Sequence, residues 1–459
     1  MAFNTPKSLR NQVIYSVFVR NYSKEGTFEK VREDLPRIRS LGTDILWLMP
    51  VHPIGVKNRK GTLGSPYAIS DYRAVNPEYG TEEDLKALAE EAHALGMKVI
   101  IDVVYNHTSP DSVLSRKHPE WFYHKEDGSF GNKVGDWWDV IDLDYADRGL
   151  WAYQIETLKK WAGIVDGFRC DVASIIPVGF WEEARKAVEE IHPGTVWLAE
   201  SVEAEFIKYL RSRRIPAWSD AELYSAFDLE YEYDIYEEFY GFLKGEKPLP
   251  EYCAAVNRQE FIYPDNYGKA RYLENHDRPR IRSLVKDPRI LKNWLALQFF
   301  HKGTVLLYAG QEAGCTRQPS LFDRDTVNWE ADDGIDLSAY ICRLSEIKHL
   351  PVFTDSTYRM TAVSDTIAAA VHTENEWLPD EQEARKGQAA AGFFCLKESA
   401  DAGQPAEYRI DLSRIKSGDG RTLTDIFPDG NYKDLIGKKI VPVKDGKLFF
   451  HGDAIIIVR

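Results

Sequence analysis

The chain has 459 residues, of which 44% are hydrophobic and 28% charged, and its formal net charge is −14. The length allows two or three domains. The acidic balance argues against nucleic acid or an anionic membrane surface as a partner. No run of about 18 apolar residues occurs, which argues against a membrane-spanning helix.

The N-terminal residues and the cysteines bear on the cellular compartment. The first residues lack the charged and apolar regions of a signal peptide. The five cysteines are scattered and odd in number, and their spacing indicates neither a disulfide framework nor a metal site. We therefore expect reduced thiols and a cytoplasmic protein.

Apolar runs and helical periodicity alternate up to residue 350. Strands are predicted at residues 13–19, 44–50, 98–104, 165–170, 196–199, 224–228, 270–273 and 304–308. Helices are predicted at residues 28–41, 81–95, 150–161, 180–191, 204–213, 234–243, 290–301 and 338–349. Repeated strand–helix units indicate a parallel sheet, and eight of them predict closure into an α/β fold, the (β/α)8 TIM barrel.

Two stretches depart from this alternation. Residues 108–147 are polar and aromatic without periodicity, which predicts a small subdomain inserted after the third strand. The barrel would then comprise residues 1–107 and 148–350. Residues 351–459 contain short strand-like runs at 367–372, 391–396, 439–443 and 454–458, separated by turns and by a polar loop at 374–387. This pattern of short strands and turns predicts a C-terminal all-β domain, which we interpret as a β-sandwich.

Polar side chains follow several predicted strands at the point where each strand ends. They lie at residues 102–107, 169–171, 200, 274–277 and 311–312. In a barrel these ends converge on one face, which carries the active site. Arg169 and Asp171 are two residues apart and share one side of their strand, so the guanidinium favours an ionised carboxylate. Several carboxylates at one mouth are costly unless they are paired or used in chemistry.

These segments resemble the motifs of the α-amylase family of glycoside hydrolases. The matching stretches are residues 102–107, residues 167–171, Glu200 and the run Asn275-His276-Asp277, in the family's order. The resemblance extends from about residue 15 to residue 350. It implies retaining hydrolysis of α-glucosidic bonds, mainly α-1,4, in maltodextrins. It also implies an α-glucan oligosaccharide as partner and no cofactor for the chemistry; the oligomeric state is open.

The resemblance assigns the chemistry to four residues by position. Asp171 would be the nucleophile that forms a covalent glycosyl-enzyme, and Glu200 would be the general acid and then the base. Asp277 would stabilise the distorted sugar and the charged transition state. Arg169 would keep Asp171 ionised. Retaining glycosidases need this pair, because one carboxyl attacks while the other donates a proton.

The resemblance also implies contacts with the sugar that is cleaved. His107 and His276 would bind its hydroxyls, and Tyr67 would stack on its ring. Asp102 would be structural, holding the motif to neighbouring backbone. Trp137 and Trp138 fit either outer sugar sites or packing of the insertion, and the sequence leaves both interpretations open.

Two departures from the family pattern concern metal and linkage. The Lys-His pair that often follows the nucleophile is replaced by residues 172–175, Val-Ala-Ser-Ile. Asn106 and Asp142 match two calcium-ligand positions of the family, but calcium takes 6–8 oxygens, so no metal is assigned and structural calcium is left as an option. Valine after the nucleophile occurs in relatives that cut α-1,6 bonds. An α-glucosidase or oligo-1,6-glucosidase, a transglycosidase and a non-catalytic carbohydrate-binding relative are therefore the alternatives.

Overall fold

A computed structural model describes residues 4–134, 137–330, 334–374, 388–397 and 407–459. Most of the polar loop predicted at 374–387 lies outside these residues. Among the helices of the described part, none is both long and apolar enough to cross a membrane.

Eight parallel strands close into a barrel, as predicted. In chain order they are Val13–Val17, Ile45–Leu48, Lys98–Val103, Gly167–Cys170, Val196–Ala199, Leu229–Tyr231, Lys269–Arg271 and Thr304–Tyr308. The first strand pairs with the second and with the last, so the sheet has no open edge. Every residue of the first strand is buried. This pattern is expected where helices cover the outside of a parallel sheet.

Helices alternate with these strands. The longer ones are Phe28–Glu33, Leu35–Ser40, Glu82–Ala94, Arg148–Ala162, Val178–Glu189, Ala204–Ser212, Tyr236–Lys244, Leu249–Ile262, Pro288–Phe300 and Ser338–Lys348. Single turns lie at Val19–Tyr22, Val113–Lys117, Asp220–Leu223, Ile281–Leu284 and Leu423–Ile426. The Thr81 side chain caps the third long helix by accepting from the Asp84 amide, and Asp84 completes a capping box.

The predicted helix over residues 28–41 is broken into two. Asp34 lies between the halves, and Pro36 stands at the start of the second half. A proline inside a helix has no N–H to donate, and its ring meets the carbonyl four residues earlier, so the first half ends there. The sequence also missed the helix Leu249–Ile262, which has a proline as its second residue and buries a polar residue, Gln259.

The sixth strand was predicted in the wrong place, at residues 224–228. The strand is Leu229–Tyr231, and the seventh also begins one residue early, at Lys269. Glu230 and Lys269 pair in register across these strands, with Nζ 3.4 Å from the carboxylate, and both side chains are fully buried. Apolar runs do not reveal strands that bury an ion pair, which explains the error.

Two further regions contain strands that are not part of the barrel. In the insertion, His107–Thr108 pairs antiparallel with Ile141–Asp142. The C-terminal region is all-β, as predicted. One four-stranded sheet contains Ser356–Ala362, Ile367–Glu374, Ala389–Cys395 and Ile455–Val458, and the other contains Tyr408–Asp411, Lys447–Phe450, Ile440–Lys444 and Gly430–Lys433. Their assignment as one sandwich domain beginning at residue 351 stays a prediction.

Candidate active site

The three predicted catalytic carboxylates lie at the C-terminal mouth of the barrel. Asp171 and Glu200 directly follow the fourth and fifth strands. Their amides extend the ladder by donating to the carbonyls of Val103 at 2.9 Å and Cys170 at 3.0 Å. The side chains of Asp171 and Glu200 are 9% and 10% exposed, whereas that of Asp277 is 39% exposed. The sheet therefore fixes two buried carboxyls, and the third is more exposed to solvent.

Arg169 is the centre of the site. Its fully buried guanidinium donates from Nη1 to Asp171 Oδ1 at 2.9 Å and to Asp102 Oδ1 at 2.9 Å. Nη2 lies 2.9 Å from Glu200 Oε2, an ion pair without hydrogen-bond geometry. One cation therefore touches three carboxyl groups. A single positive charge cannot neutralise three negative ones, so this arrangement favours a retained proton.

The pKa values of these carboxyls rise because they are buried. Burial raises the pKa of Asp171 to about 7 and that of Glu200 to about 8, and Arg169 opposes both shifts. The negative charge of Asp277 adds to both increases. Glu200 therefore keeps its proton to a higher pH than Asp171 does, which is the order of pKa values that the predicted roles require. Burial also raises the pKa of Asp102 to about 7.

We expect a bell-shaped dependence of kcat/KM on pH. The predicted roles require an ionised Asp171 and a protonated Glu200, so activity should fall below the first apparent pKa and above the second. Because both pKa values are raised, the acid limb should lie well above pH 3.8, the ordinary pKa of aspartate, and the limbs belong to the coupled cluster as a whole. Initial rates on maltotriose across pH test this, and a rate still rising at pH 9 would contradict a carboxylic acid donor.

Tyr67 and His276 lie together beside the carboxylates. The Tyr67 hydroxyl is 2.7 Å from His276 Nε2, and the rings stack with centroids 5.4 Å apart. His276 Nε2 is also 3.1 Å from Asp277 Oδ2. Burial lowers the pKa of His276 to about 4, so its ring is neutral at pH 7. The structure thus brings both predicted binding residues to the site, and their contacts with sugar stay predictions.

Asp102 differs from its predicted role. It was expected to hold backbone, but its carboxylate accepts from Arg169 Nη1 and, at 3.1 Å, from the Tyr67 hydroxyl. It is fully buried. Asp102 therefore orients two side chains of the site, and one of them, Arg169, contacts both Asp171 and Glu200.

His107 approaches the site from the insertion. Its Nε2 lies 4.0 Å from Asp171 Oδ2, and its Nδ1 lies 3.1 Å from the Asn106 amide nitrogen. Burial lowers the pKa of His107. The Trp137 ring is 5.6 Å from the His107 ring, whereas Trp138 is 56% exposed. The two tryptophans thus have different surroundings, and Trp137 is the one near the predicted catalytic residues.

Two acids at predicted strand ends form ion pairs away from Arg169. Glu274 pairs with Arg280 at 2.6 Å, and Glu312 pairs with Arg37 at 2.8 Å. Both carboxylates are buried and paired with arginines outside the cluster around Arg169. These pairs explain why the sequence offers more acids at the mouth than the chemistry needs.

Sequence reasoning missed the contribution of Val172. Its φ is 38° and its ψ 44°, a left-handed conformation that a β-branched residue rarely adopts. This turn points the Val172 amide at Glu200 Oε2, to which it donates at 2.8 Å. The contact is made by backbone, so no side-chain pattern could have revealed it. Such strain is typical of functional sites.

The two candidate calcium positions are already engaged within the chain. Asp142 accepts from the Lys133 amide at 2.6 Å, and the Asn106 amide side chain faces His107. Among the residues that the structure describes, no group of three or more His, Cys, Asp or Glu side chains is placed to hold a metal ion. This donor set does not fit the coordination that calcium takes.

A closed parallel barrel with a buried Asp–Arg–Glu cluster at its C-terminal mouth has the architecture of a barrel glycoside hydrolase. The family described as alpha amylase, catalytic domain, matches residues 12–139 and 115–391, and the bacterial alpha amylase C-terminal domain matches residues 384–457. The chain belongs to the α-amylase family and is an α-amylase-type glycoside hydrolase, as the motifs predict.

Solved structures and a curated relative agree with this assignment. An alpha-amylase from Lactobacillus plantarum is 45% identical with a TM-score of 0.89, over 99% of this chain and 100% of that one. The noncanonic maltogenic alpha-amylase AmyB from Thermotoga neapolitana is 30% identical with a TM-score of 0.81, over 98% and 99%. Alpha-amylase MalA from Haloarcula japonica is 27% identical over 76% of this chain, which spans only 50% of that relative.

Proposed function

We propose that this chain hydrolyses α-1,4 bonds of soluble malto-oligosaccharides with retention of configuration. The observation that carries the proposal is the buried guanidinium of Arg169 between Asp171 and Glu200. It holds a potential nucleophile and a potential proton donor in one cluster, as retaining hydrolysis requires. The 30% identity to a maltogenic alpha-amylase supports maltose as a product.

The proposed first step is attack by Asp171 on the anomeric carbon. Glu200 donates its proton to the glycosidic oxygen, and the leaving sugar departs as an alcohol. Val172 and Arg169 both face Oε2 of Glu200, which leaves Oε1 to carry that proton. Asp277, more exposed than the other two, faces the cleft and would stabilise the positive charge of the transition state.

The proposed second step releases the sugar from Asp171. Glu200, now ionised, takes a proton from water, which attacks the covalent intermediate from the face that the leaving group vacated. Two inversions at one carbon give a product of the original α-configuration. His107 and His276, neutral because burial lowers the pKa of each, would donate or accept hydrogen bonds with the sugar hydroxyls.

The substrate and compartment are part of this proposal. The cleft would take α-glucan oligosaccharides, with weak action on raw starch. All five cysteines lie within the described part of the chain and none forms a disulfide there, which supports a cytoplasmic location. Neither nucleic acid nor membrane is proposed as a partner, in keeping with the net charge of −14.

A product profile tests the proposal. Maltoheptaose, maltotriose, panose, pullulan and sucrose are incubated with the protein, and products are separated by chromatography; maltose and glucose from maltoheptaose are expected. Asp171→Asn, purified in the same way, controls for contaminating activity. Faster cleavage of panose than of maltotriose would replace the proposal by an oligo-1,6-glucosidase. Products longer than the substrate would indicate a transglycosidase, and no cleavage at all would indicate a binding protein.

A further inference from the structure

The loop after the second strand joins two separate parts of the barrel mouth. Residues 58–62, the bridge loop, run from the insertion to the segment that follows the eighth strand. At one end the Asn58 side chain donates to the Trp138 carbonyl at 3.3 Å. At the other end the Thr62 amide and hydroxyl donate to Asp323 Oδ1 at 2.8 and 2.7 Å. The bridge loop is therefore held at both ends by hydrogen bonds.

Lys60 anchors the middle of the bridge loop. Its Nζ lies 2.7 Å from Asp139 Oδ1, and the Asp139 side chain is 5% exposed, so water screens this ion pair less than a surface pair. The same ammonium lies 5.5 Å from the centre of the Trp138 ring and 5.8 Å from that of Phe322, within the range of a cation–π attraction. Gly61 packs so closely that a Cβ there would lie 2.6 Å from the Phe322 Cβ. The bridge loop thus contacts the insertion on one side and Phe322 on the other.

The bridge loop lies on the side of the mouth opposite Glu200. Around the closed barrel the first strand stands between the second and the eighth, and the fifth strand, which precedes Glu200, is diametrically opposite. In the proposed reaction Glu200 protonates the oxygen that leaves, so the leaving sugar lies on the side of Glu200. The non-reducing part of the glucan extends the other way, toward the bridge loop.

The bridge loop also comes close to the position of the nucleophile. His107 Nε2 lies 4.0 Å from Asp171 Oδ2, and the Trp137 ring lies 5.6 Å from the His107 ring. Trp137 directly precedes the two residues of the insertion that contact the bridge loop. Burial lowers the pKa of His107, and the charge of Lys60 lowers it further, which places that ammonium near the same ring. The part of the cleft between Asp171 and the bridge loop is therefore short.

We propose that the bridge loop closes the cleft on the non-reducing side, so that the protein cleaves malto-oligosaccharides near their non-reducing ends and releases glucose and maltose. This inference rests on the proposed function and adds the direction of attack. Cleavage within a long chain needs a cleft that the glucan can leave at both ends, whereas this loop stops the glucan at one. Lys60 is a positioning residue, because it acts through the loop that it holds.

Two substrates that differ at the non-reducing end test this direction of attack. One is 4-nitrophenyl α-maltoheptaoside, and the other carries a 4,6-O-ethylidene group on its terminal glucose; initial rates are measured by chromatography of the products. The wild type should cleave the free substrate roughly 10²-fold faster, because a closed pocket rejects an extra carbon group by about that factor. Similar rates on both substrates would overturn the closure and leave the proposed hydrolysis intact, whereas cleavage of neither would refute both.

Variants of the loop test whether Lys60 holds it in place. Lys60→Ala should reduce the preference for the free substrate by roughly tenfold, because the loosened loop admits the blocked end, and Lys60→Arg should keep most of the preference. Lys57→Ala is the matched control, since Lys57 is exposed just before the loop and its contact with Asp111 is made by the backbone amide; its preference should equal that of the wild type. Each ratio of rates is measured within one preparation, so incomplete folding does not alter it. An unchanged ratio in Lys60→Ala would overturn the role of Lys60.

Discussion

Replacing Asp171 by asparagine is expected to lower kcat by roughly 10⁴-fold or more, the scale seen when a covalent nucleophile is removed. An amide oxygen is too weak a nucleophile to displace the leaving sugar, although the asparagine side chain keeps the size and position of the aspartate that it replaces. The ladder bond from residue 171 to the Val103 carbonyl is made by backbone and should persist. The measurement is kcat on maltotriose, alongside the circular dichroism spectrum.

Three further variants complete this prediction. Glu200→Gln should lower kcat by about 10²–10⁴-fold, and azide should restore part of the rate of Glu200→Ala on an activated substrate. Asp127→Asn makes the same acid-to-amide change at an exposed residue of the insertion and should be neutral. Near-normal turnover by Asp171→Asn would refute its assignment as the nucleophile.

The second large effect is on stability. Arg169→Met should lower the free energy of unfolding by about 3–5 kcal/mol at pH 8, because it removes one partner of a buried ion cluster. Asp102, Asp171 and Glu200 would lose the cation that each now contacts at 2.9 Å. The loss should shrink toward pH 5, where the carboxyls left behind, whose pKa values are already raised by burial, bind protons.

Urea unfolding followed by tryptophan fluorescence measures this effect at both pH values. Arg409→Met is the matched control, since Arg409 is 68% exposed and lies 3.8 Å from its partner Glu407; its effect should stay within about 0.5 kcal/mol. An Arg169→Met variant with a pH-independent loss of stability would mean that the carboxyls around Arg169 do not change their protonation between pH 5 and pH 8.

Much of the fold could be predicted from the sequence because the barrel strands are mostly continuous apolar runs. The sixth strand failed for a definite reason: its buried residue Glu230 pairs with Lys269 of the neighbouring strand, on the side that faces the helical residues Asp220 and Asp234. A buried ion pair is satisfied only by the neighbouring strand, so its partners look like surface residues when each strand is considered alone. Pro36 indicated a break in the first predicted helix, but the sequence did not show that the break falls at Asp34.

The position of Asp171, Glu200 and Asp277 at the barrel mouth was predictable from the side-chain types that follow the strands, and their catalytic roles stay predictions. The contacts that orient these side chains were not predictable. Val172 acts through a left-handed backbone turn, and Asp102 accepts from Arg169 and Tyr67, which meet it only after folding. Sequence spacing holds no information on either, because both depend on the approach of separate segments.

The central claim is that Asp171 forms a covalent glycosyl-enzyme. In Glu200→Gln, α-maltosyl fluoride should react at Asp171, since fluoride leaves without a proton donor. The intermediate should then accumulate, because no base activates water. Mass spectrometry of the intact protein and its peptides is expected to show one added maltosyl group on the peptide that contains Asp171. A maltosyl group on another residue, or a β-anomer as the first product of the wild type by NMR, would contradict the account.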